Sequence, residues 1–324
     1  MLVSLAAVAA GLILLTYSAD RFVLGAASIA RVLGAPPLLI GITIVGIGTS
    51  APEVLVSLSA SFSGAPSIAV GNAVGSNITN LALVLGVTAL ISPLAVASGI
   101  LKRELPLVLI VSLLAYYLCA DLILSRVEGA VLFVGFLGML GWMVSLARSG
   151  TSDDPMIAEL SEHENDAQLP KAKAWMWVAF GMIMLPASAQ LLVWGASEIA
   201  RTFGIPDLVI GLTIVAIGTS LPELAASVAS ALRGEAELAL GNVLGSNLFN
   251  ILLVLGLPGL IAAPALDSEL LARDLPVMLG LTVATLIMAF GWRGPGRISR
   301  LEGGLLLAAF AAYELILAID LNLL

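Results

Sequence analysis

One octapeptide occurs twice, 170 residues apart, and that repetition constrains the whole chain. Residues 46–53 read Gly-Ile-Gly-Thr-Ser-Ala-Pro-Glu, and residues 216–223 read Ala-Ile-Gly-Thr-Ser-Leu-Pro-Glu. Each copy ends in a carboxylate, Glu53 or Glu223, inside a stretch otherwise apolar enough to span a bilayer. A charge at membrane depth costs roughly 2.5–3.5 kcal/mol even on lenient insertion scales, so its default reading is functional. The same offset relates residues 70–86 to 240–256, Arg31 and Gly34 to Arg201 and Gly204, and Glu104-Leu105-Pro106 to Asp274-Leu275-Pro276. Near the ends of the halves, Ser125-Arg126-Val127-Glu128-Gly129 matches Ser299-Arg300-Leu301-Glu302-Gly303 at an offset of 174. The repeat therefore covers nearly the whole chain.

Only 11% of the residues are charged and 60% are hydrophobic, whereas a soluble domain carries about 25% charged residues. The chain reads as an all-α polytopic membrane protein, because helices satisfy their own backbone in lipid. Ten apolar runs are the candidate spans: roughly 2–30, 36–62, 67–92, 103–121, 126–147, 173–201, 206–232, 237–262, 271–291 and 299–320. Five spans per half is an odd number, so the second half enters the membrane from the opposite side. The expected fold is ten transmembrane helices in two inverted five-helix repeats, residues 1–147 and 173–324, with helices 2 and 7 broken. Such repeats place a substrate site near the midplane and support alternating access. Between them, residues 148–172 form an acidic linker with Asp153, Asp154, Glu159, Glu162, Glu164, Asp166 and His163. It lacks the order of a calcium loop and reads as a solvated connection.

Ten Lys and Arg residues (31, 102, 103, 148, 171, 173, 233, 293, 297, 300) fall on one side of this plan and three (126, 201, 273) on the other. The richer side, with the 148–172 loop, is expected in the cytoplasm of a cell-membrane protein and both termini outside. The N-terminal run lacks a basic n-region and repeats as Ser188-Ala189, so it is retained as the first helix rather than read as a signal peptide. Cys119 is the only cysteine, which excludes an intrachain disulfide. No basic nucleic-acid footprint is present, and nothing points to an obligate protein partner beyond the lipid bilayer.

Pro52 removes a backbone donor and clashes with the carbonyl of Gly48, and Pro222 does the same in the second half. Thr49 and Ser50 precede Glu53 by four and three residues and share its face; Thr219 and Ser220 do so for Glu223. The following helix adds Asn72, Ser76 and Asn80 in one half and Asn242, Ser246 and Asn250 in the other, each set at helical spacing. For Asn72 and Asn242, helix-to-helix hydrogen bonding and ion contact are open alternatives. Arg31, Arg201, Glu104 and Asp274 sit at expected helix ends, where anchoring or capping is the expected role. Carboxylates, hydroxyls, amides and freed carbonyls suit hard cations, Ca²⁺ or Na⁺, and two carboxylates neutralise one Ca²⁺. An intramembrane protease is excluded by the lack of a second histidine or paired catalytic aspartates, and a channel fits broken inverted repeats less well than a carrier.

These motifs, Gly-Thr-Ser-x-Pro-Glu at 48–53 and 218–223 and Gly-Asn-x-x-Gly-Ser-Asn-x-x-Asn at 71–80 and 241–250, resemble the two α-repeats of the cation/Ca²⁺ exchanger superfamily, specifically its prokaryotic-type Na⁺/Ca²⁺ exchanger branch. The resemblance implies a secondary antiporter, not an enzyme, with no cofactor and with Ca²⁺ and Na⁺ as transported ions. It implies that Glu53 and Glu223 coordinate Ca²⁺ and share Na⁺, and that the first and sixth helices slide against the core. Hydroxyls of Thr49, Ser50, Thr219, Ser220, Ser76 and Ser246 and carbonyls of Gly46 and Ala216 would contribute, with Asn80 as a further ligand. Asn250 completes the candidate set; some relatives, including potassium-dependent exchangers, have aspartate there. Two asparagines argue against potassium co-transport and against a protonatable third carboxylate. The Ca²⁺/H⁺ branch, the alternative, usually carries Gly-Asn before x-x-Glu, so Thr-Ser-x-Pro-Glu favours sodium.

Overall fold

The structure, a computed structural model, describes residues 1–34, 37–96, 101–149, 169–204, 216–290 and 296–320. The acidic stretch at 150–168 and the opening of the seventh expected span at 205–215 lie outside them. Twelve helical segments account for most of the rest. They are α1 (Leu2–Leu33), α2 (Pro37–Thr49), α3 (Ala51–Phe62), α4 (Pro66–Ile91), α5 (Leu101–Leu118), α6 (Arg126–Ser149), α7 (Lys171–Thr202), α8 (Ala216–Thr219), α9 (Leu221–Leu232), α10 (Ala236–Ala262), α11 (Leu270–Ala289) and α12 (Arg300–Asp320). Seven described helices are long and apolar enough to cross a bilayer, or eight with the bent pair α2–α3 taken as one span. The fourth expected span is α5, whose first turn carries Lys102, Arg103 and Glu104. Of the seventh, only Ala216 onward is described.

The helix ends show why the chain turns where it does. Among the described residues, four glycines take positive φ: Gly34 (61°), Gly64 (77°), Gly204 (79°) and Gly234 (77°). They form two pairs at the 170-residue offset, each a left-handed stop that a side chain would strain. Helices α6 and α12 open with matching capping boxes. The Ser125 and Ser299 amides donate to Glu128 Oε2 and Glu302 Oε2, each at 2.6 Å, and the glutamate amides donate back to the serine hydroxyls at 3.4 Å. Such a cap satisfies two orphan donors. Replacing Ser299 by Ala is expected to lower stability by about 1 kcal/mol, read by thermal unfolding in detergent.

The all-α expectation holds, and one short two-stranded ribbon accompanies the helices. Leu94–Val96 (β1) and Gly296–Ile298 (β2) pair antiparallel, with Ala95 opposite Arg297. At the equivalent positions of the repeat, Ile123 bridges Ala265, and Leu124 N donates to Pro264 O (2.9 Å). Each half thus completes the other. The same exchange holds for helices: α6 packs on α10 through Gly129 against Gly256 and Gly259, and α12 packs on α4 through Gly303 against Gly86. Small residues let these backbones approach closely, which drives association where lipid offers no hydrophobic contrast.

Helix α10 sits at the centre and is almost wholly buried, and α4 is the next most buried of the long apolar helices. Around them lies the main apolar cluster, including Ile78, Leu81, Leu85, Leu248, Phe249 and Val254. A separate cluster holds α1 to α7, built on Leu15, Phe22, Val23, Ile29, Val178 and Leu185. Both helices have 32 residues, about 48 Å at 1.5 Å per residue. That exceeds a hydrocarbon core of about 30 Å, so both helices tilt, kink or project beyond it. Glu104 lies in the first turn of α5, 1% exposed and 3.8 Å from Arg103, while Asp274 pairs with Arg273 (2.7 Å) and accepts from Tyr313 (3.1 Å).

Candidate cation site

The site begins with two helix breaks. Helix α2 ends at Thr49, and the chain bends by 46° before α3. Ser50 takes φ −82°, ψ 7°, outside the helical basin, and Ser220 repeats this at −88°, 6°. Pro52 and Pro222 follow in the first turns of α3 and α9, where their missing N–H costs nothing. Glu53 and Glu223 occupy those same first turns. The positive end of each half-helix faces its carboxylate, while the negative ends of α2 and α8 bring carbonyls. Gly46 O accepts from Ser50 N (3.0 Å) and from Thr49 Oγ1 (3.4 Å). Ala216 opens α8.

Most of the expected side chains converge. Ser50 Oγ donates to Glu223 Oε1 (3.0 Å), and Ser246 Oγ approaches the same oxygen at 3.4 Å. Thr49 Oγ1 lies 3.5 Å from Ser246 Oγ. The first half's hydroxyls thus reach the second half's carboxylate, making one site from two repeats. Thr49, Ser50, Glu53, Ser220, Glu223, Ser246, Asn80 and Asn250 are each at most 2% exposed, and Ser76 is 5% exposed. Thr219 lines a cavity of about 640 Å³ with Pro52, Gly218, Gln190 and Ser59.

Several of these buried atoms lack a protein partner. Neither carboxylate oxygen of Glu53 has a hydrogen bond among the described residues, nor do Glu223 Oε2, Ser220 Oγ, or the amide atoms of Asn80 and Asn250. An unpaired buried carboxylate costs several kcal/mol. Oxygen donors at two repeat-equivalent glutamates fit a hard cation such as Ca²⁺ or Na⁺.

Two features were not legible beforehand. Asn80–Val84 and Asn250–Val254 are π-helical turns, each opened by the asparagine; Leu255 N reaches back to Asn250 O at 2.8 Å. Such bulges mark functional positions in helices. The second concerns Asn72 and Asn242. Asn72 Nδ2 donates to the Glu53 carbonyl (3.3 Å), and Asn242 Nδ2 donates to the Glu223 carbonyl (3.1 Å). Asn242 also donates to Ser227 Oγ (2.9 Å) and accepts from Thr49 Oγ1 (3.0 Å). Both amides brace the backbone of the broken helices. Asn77, one residue after Ser76, turns to Met278 Sδ (3.5 Å) on α11.

A family model described as sodium/calcium exchanger protein matches residues 3–145 and 173–318. The candidate antiporter CaxA of Alkalimonas amylolytica is 50% identical, over 98% of this chain and 99% of its own. The sodium/calcium exchanger MaX1 of Methanosarcina acetivorans is 32% identical, over 95% and 96%. The solved sodium-calcium exchanger NCX_Mj aligns with a TM-score of 0.82 at 34% identity, covering 98% of both chains. With both halves matched and these relatives covered almost end to end, the chain belongs to the sodium/calcium exchanger family: a membrane transporter that exchanges cations, Ca²⁺ among them, without a cofactor, and not an enzyme.

Proposed function

We propose that this protein exchanges Na⁺ for Ca²⁺ across the cell membrane by alternating access, with Ca²⁺ held between Glu53 and Glu223. The observation that carries the reading is the set of oxygens at two equivalent helix breaks that have no hydrogen-bond partner among the described residues. Two ionised carboxylates at one buried site repel each other, so cations or protons must occupy them at every stage. Ca²⁺ and Na⁺ competing for the same pair makes release of one the condition for binding the other. Thr49, Ser50, Thr219, Ser220, Ser76, Ser246, Asn80 and Asn250, with the carbonyls of Gly46 and Ala216, complete the ligand set. In this reading the chain spans the membrane ten times in two inverted repeats, the site lies near the midplane, and the Lys/Arg-rich face with the 148–172 loop is cytoplasmic.

Reconstituted protein tests the counter-ion. Ca²⁺ uptake into liposomes is expected to require an outward Na⁺ gradient and to ignore K⁺ and pH gradients. Uptake that needs a pH gradient and no Na⁺ would identify the Ca²⁺/H⁺ alternative. Asn250→Asp, which adds a third carboxylate, is expected to change ion selectivity or the pH response of flux; an unchanged profile would make this position peripheral. Asn242→Ala removes three hydrogen bonds, one each to Glu223, Thr49 and Ser227. It is expected to weaken Ca²⁺ binding about tenfold, roughly one net hydrogen bond. Asn72→Ala, which loses one bond of 3.3 Å, is expected to do less by the same calorimetric titration.

A further inference from the structure

Among the positions where the two repeats differ in charge, Asp20, Arg233 and Glu235 tie a helix down on one face only. On α1, Asp20 Oδ1 accepts from Arg233 Nε (2.9 Å) and Nη2 (2.5 Å), at the turn after α9. Further along α1, Arg31 Nη2 donates to Glu235 Oε1 (2.5 Å), two residues past Arg233. Both ion pairs join α1 to the α9–α10 turn. Moved back by 170 residues, Arg233 and Glu235 become Ser63 and Ala65; moved forward, Asp20 becomes Gln190. The corresponding turn after α3 therefore cannot form these pairs with α7.

Asp20 and Arg233 line a cavity of about 480 Å³ with Thr16, Leu224, Val228 and Ala229. Its counterpart is the 640 Å³ cavity, lined by Gln190, Ser59 and Ser63, which reaches Pro52 and Thr219 of the cation site. Helices α1 and α7 share an apolar cluster apart from the main core, to which α2, α9 and α10 add the buried residues Ile40, Val45, Ala226 and Leu238. Packed helices joined by such apolar contacts can slide, and polar ties across the boundary weight one position over another. Here two ties cross on the Arg233 face.

We propose that Asp20–Arg233 and Arg31–Glu235 form an electrostatic latch. It holds the α1–α7 pair against the α9–α10 turn, narrows the pathway on the Arg233 face, and biases the transporter toward the state open through the 640 Å³ cavity. This rests on alternating access, but not on Na⁺ being the counter-ion. The side chains of Asp20 and Arg233 are 43% and 32% exposed, so each pair is strong enough to bias an equilibrium, by up to about fivefold, and weak enough to break in every cycle.

The test uses repeat-equivalent cysteine reporters, Ser59→Cys in one cavity and Ala229→Cys in the other, in full-length protein reconstituted in liposomes. The native Cys119 is buried and is replaced by Ala. Asp20→Gln and Arg233→Ser install the other repeat's residues. Each is expected to speed labelling of the Ala229→Cys thiol by a membrane-impermeant maleimide about three- to fivefold, and to slow labelling of the Ser59→Cys thiol. The charge-swapped pair, Asp20→Arg with Arg233→Asp, is expected to restore both rates. Unchanged labelling in both single variants, reporters that move in the same direction, or a swap that restores nothing would overturn the latch. A failed Na⁺ dependence of Ca²⁺ flux would change the counter-ion and leave this labelling pattern intact.

Discussion

Glu53→Gln and Glu223→Gln are each expected to abolish measurable Ca²⁺ binding while leaving the fold intact. Removing one of two carboxylates halves the charge that neutralises the divalent ion and replaces a ligand oxygen by an amide. A loss of at least about two orders of magnitude in affinity, ~2.7 kcal/mol, follows from the dependence of calcium sites on ligand charge. The two variants should differ in their cation-free behaviour. Glu53 has no hydrogen-bond partner for either oxygen among the described residues, whereas Glu223 Oε1 accepts from Ser50 and Ser246. Without cations a proton must neutralise the unpartnered carboxylate, and a neutral amide at position 53 mimics that state, so Glu53→Gln should unfold at no lower temperature than the parent. Glu223→Gln disturbs two hydroxyl donors and should unfold lower. Calorimetric titration with Ca²⁺, beside thermal unfolding in detergent, reads both effects; retained Ca²⁺ binding in both variants would contradict the proposed site.

Gly245→Ala is expected to damage both stability and ion binding, although Gly245 is not itself in the proposed ligand set. A Cβ at Gly245 would lie 2.5 Å from Ile42 O and 2.6 Å from Ile42 Cα, so α10 and α2 must move apart. No flexible side chain is there to yield. Overpacking of this kind costs about 1–3 kcal/mol. The displaced seam is the one that brings Thr49 within 3.0 Å of Asn242 and 3.5 Å of Ser246. Ca²⁺ affinity should therefore fall together with the unfolding temperature. Gly138→Ala on α6, where nothing lies within 4 Å of the added carbon, should change neither. Normal affinity in Gly245→Ala would mean that the seam does not set the site geometry.

The breaks in α2 and ahead of α9 were legible because Pro52 and Pro222 cannot donate to the carbonyls four residues back, wherever they sit. The turns at Gly34 and Gly204 were legible because the two glycines recur at one offset, and the structure adds Gly64 and Gly234 as a second such pair, all four in a backbone shape that side chains resist. The direction of Asn72 and Asn242 was not legible, since an amide at helical spacing can face an ion or a neighbouring carbonyl equally well. Both turned to the carbonyl. The π-turns at Asn80 and Asn250 left no trace, because one extra residue in a turn changes no composition and breaks no apolar run. Leu94–Val96 was hidden for a related reason: three apolar residues after a transmembrane helix do not reveal a strand until their partner, Gly296–Ile298, is placed beside them. The ion pairs of α1 were half visible. Arg31 was noted as a repeated residue at a helix end, but its partner Glu235 has Ala65 as its equivalent, so matching the halves concealed the contact.

The central claim, one site at which Na⁺ and Ca²⁺ compete for Glu53 and Glu223, is tested most directly by titrating Ca²⁺ into the purified protein at a series of Na⁺ concentrations. Neutralising two carboxylates takes at least two Na⁺, so the logarithm of the apparent Ca²⁺ dissociation constant should rise against the logarithm of Na⁺ with a limiting slope of about 2 or more. Choline at the same ionic strength should leave the constant nearly unchanged. A Ca²⁺ affinity equally indifferent to Na⁺ and choline would contradict the shared site.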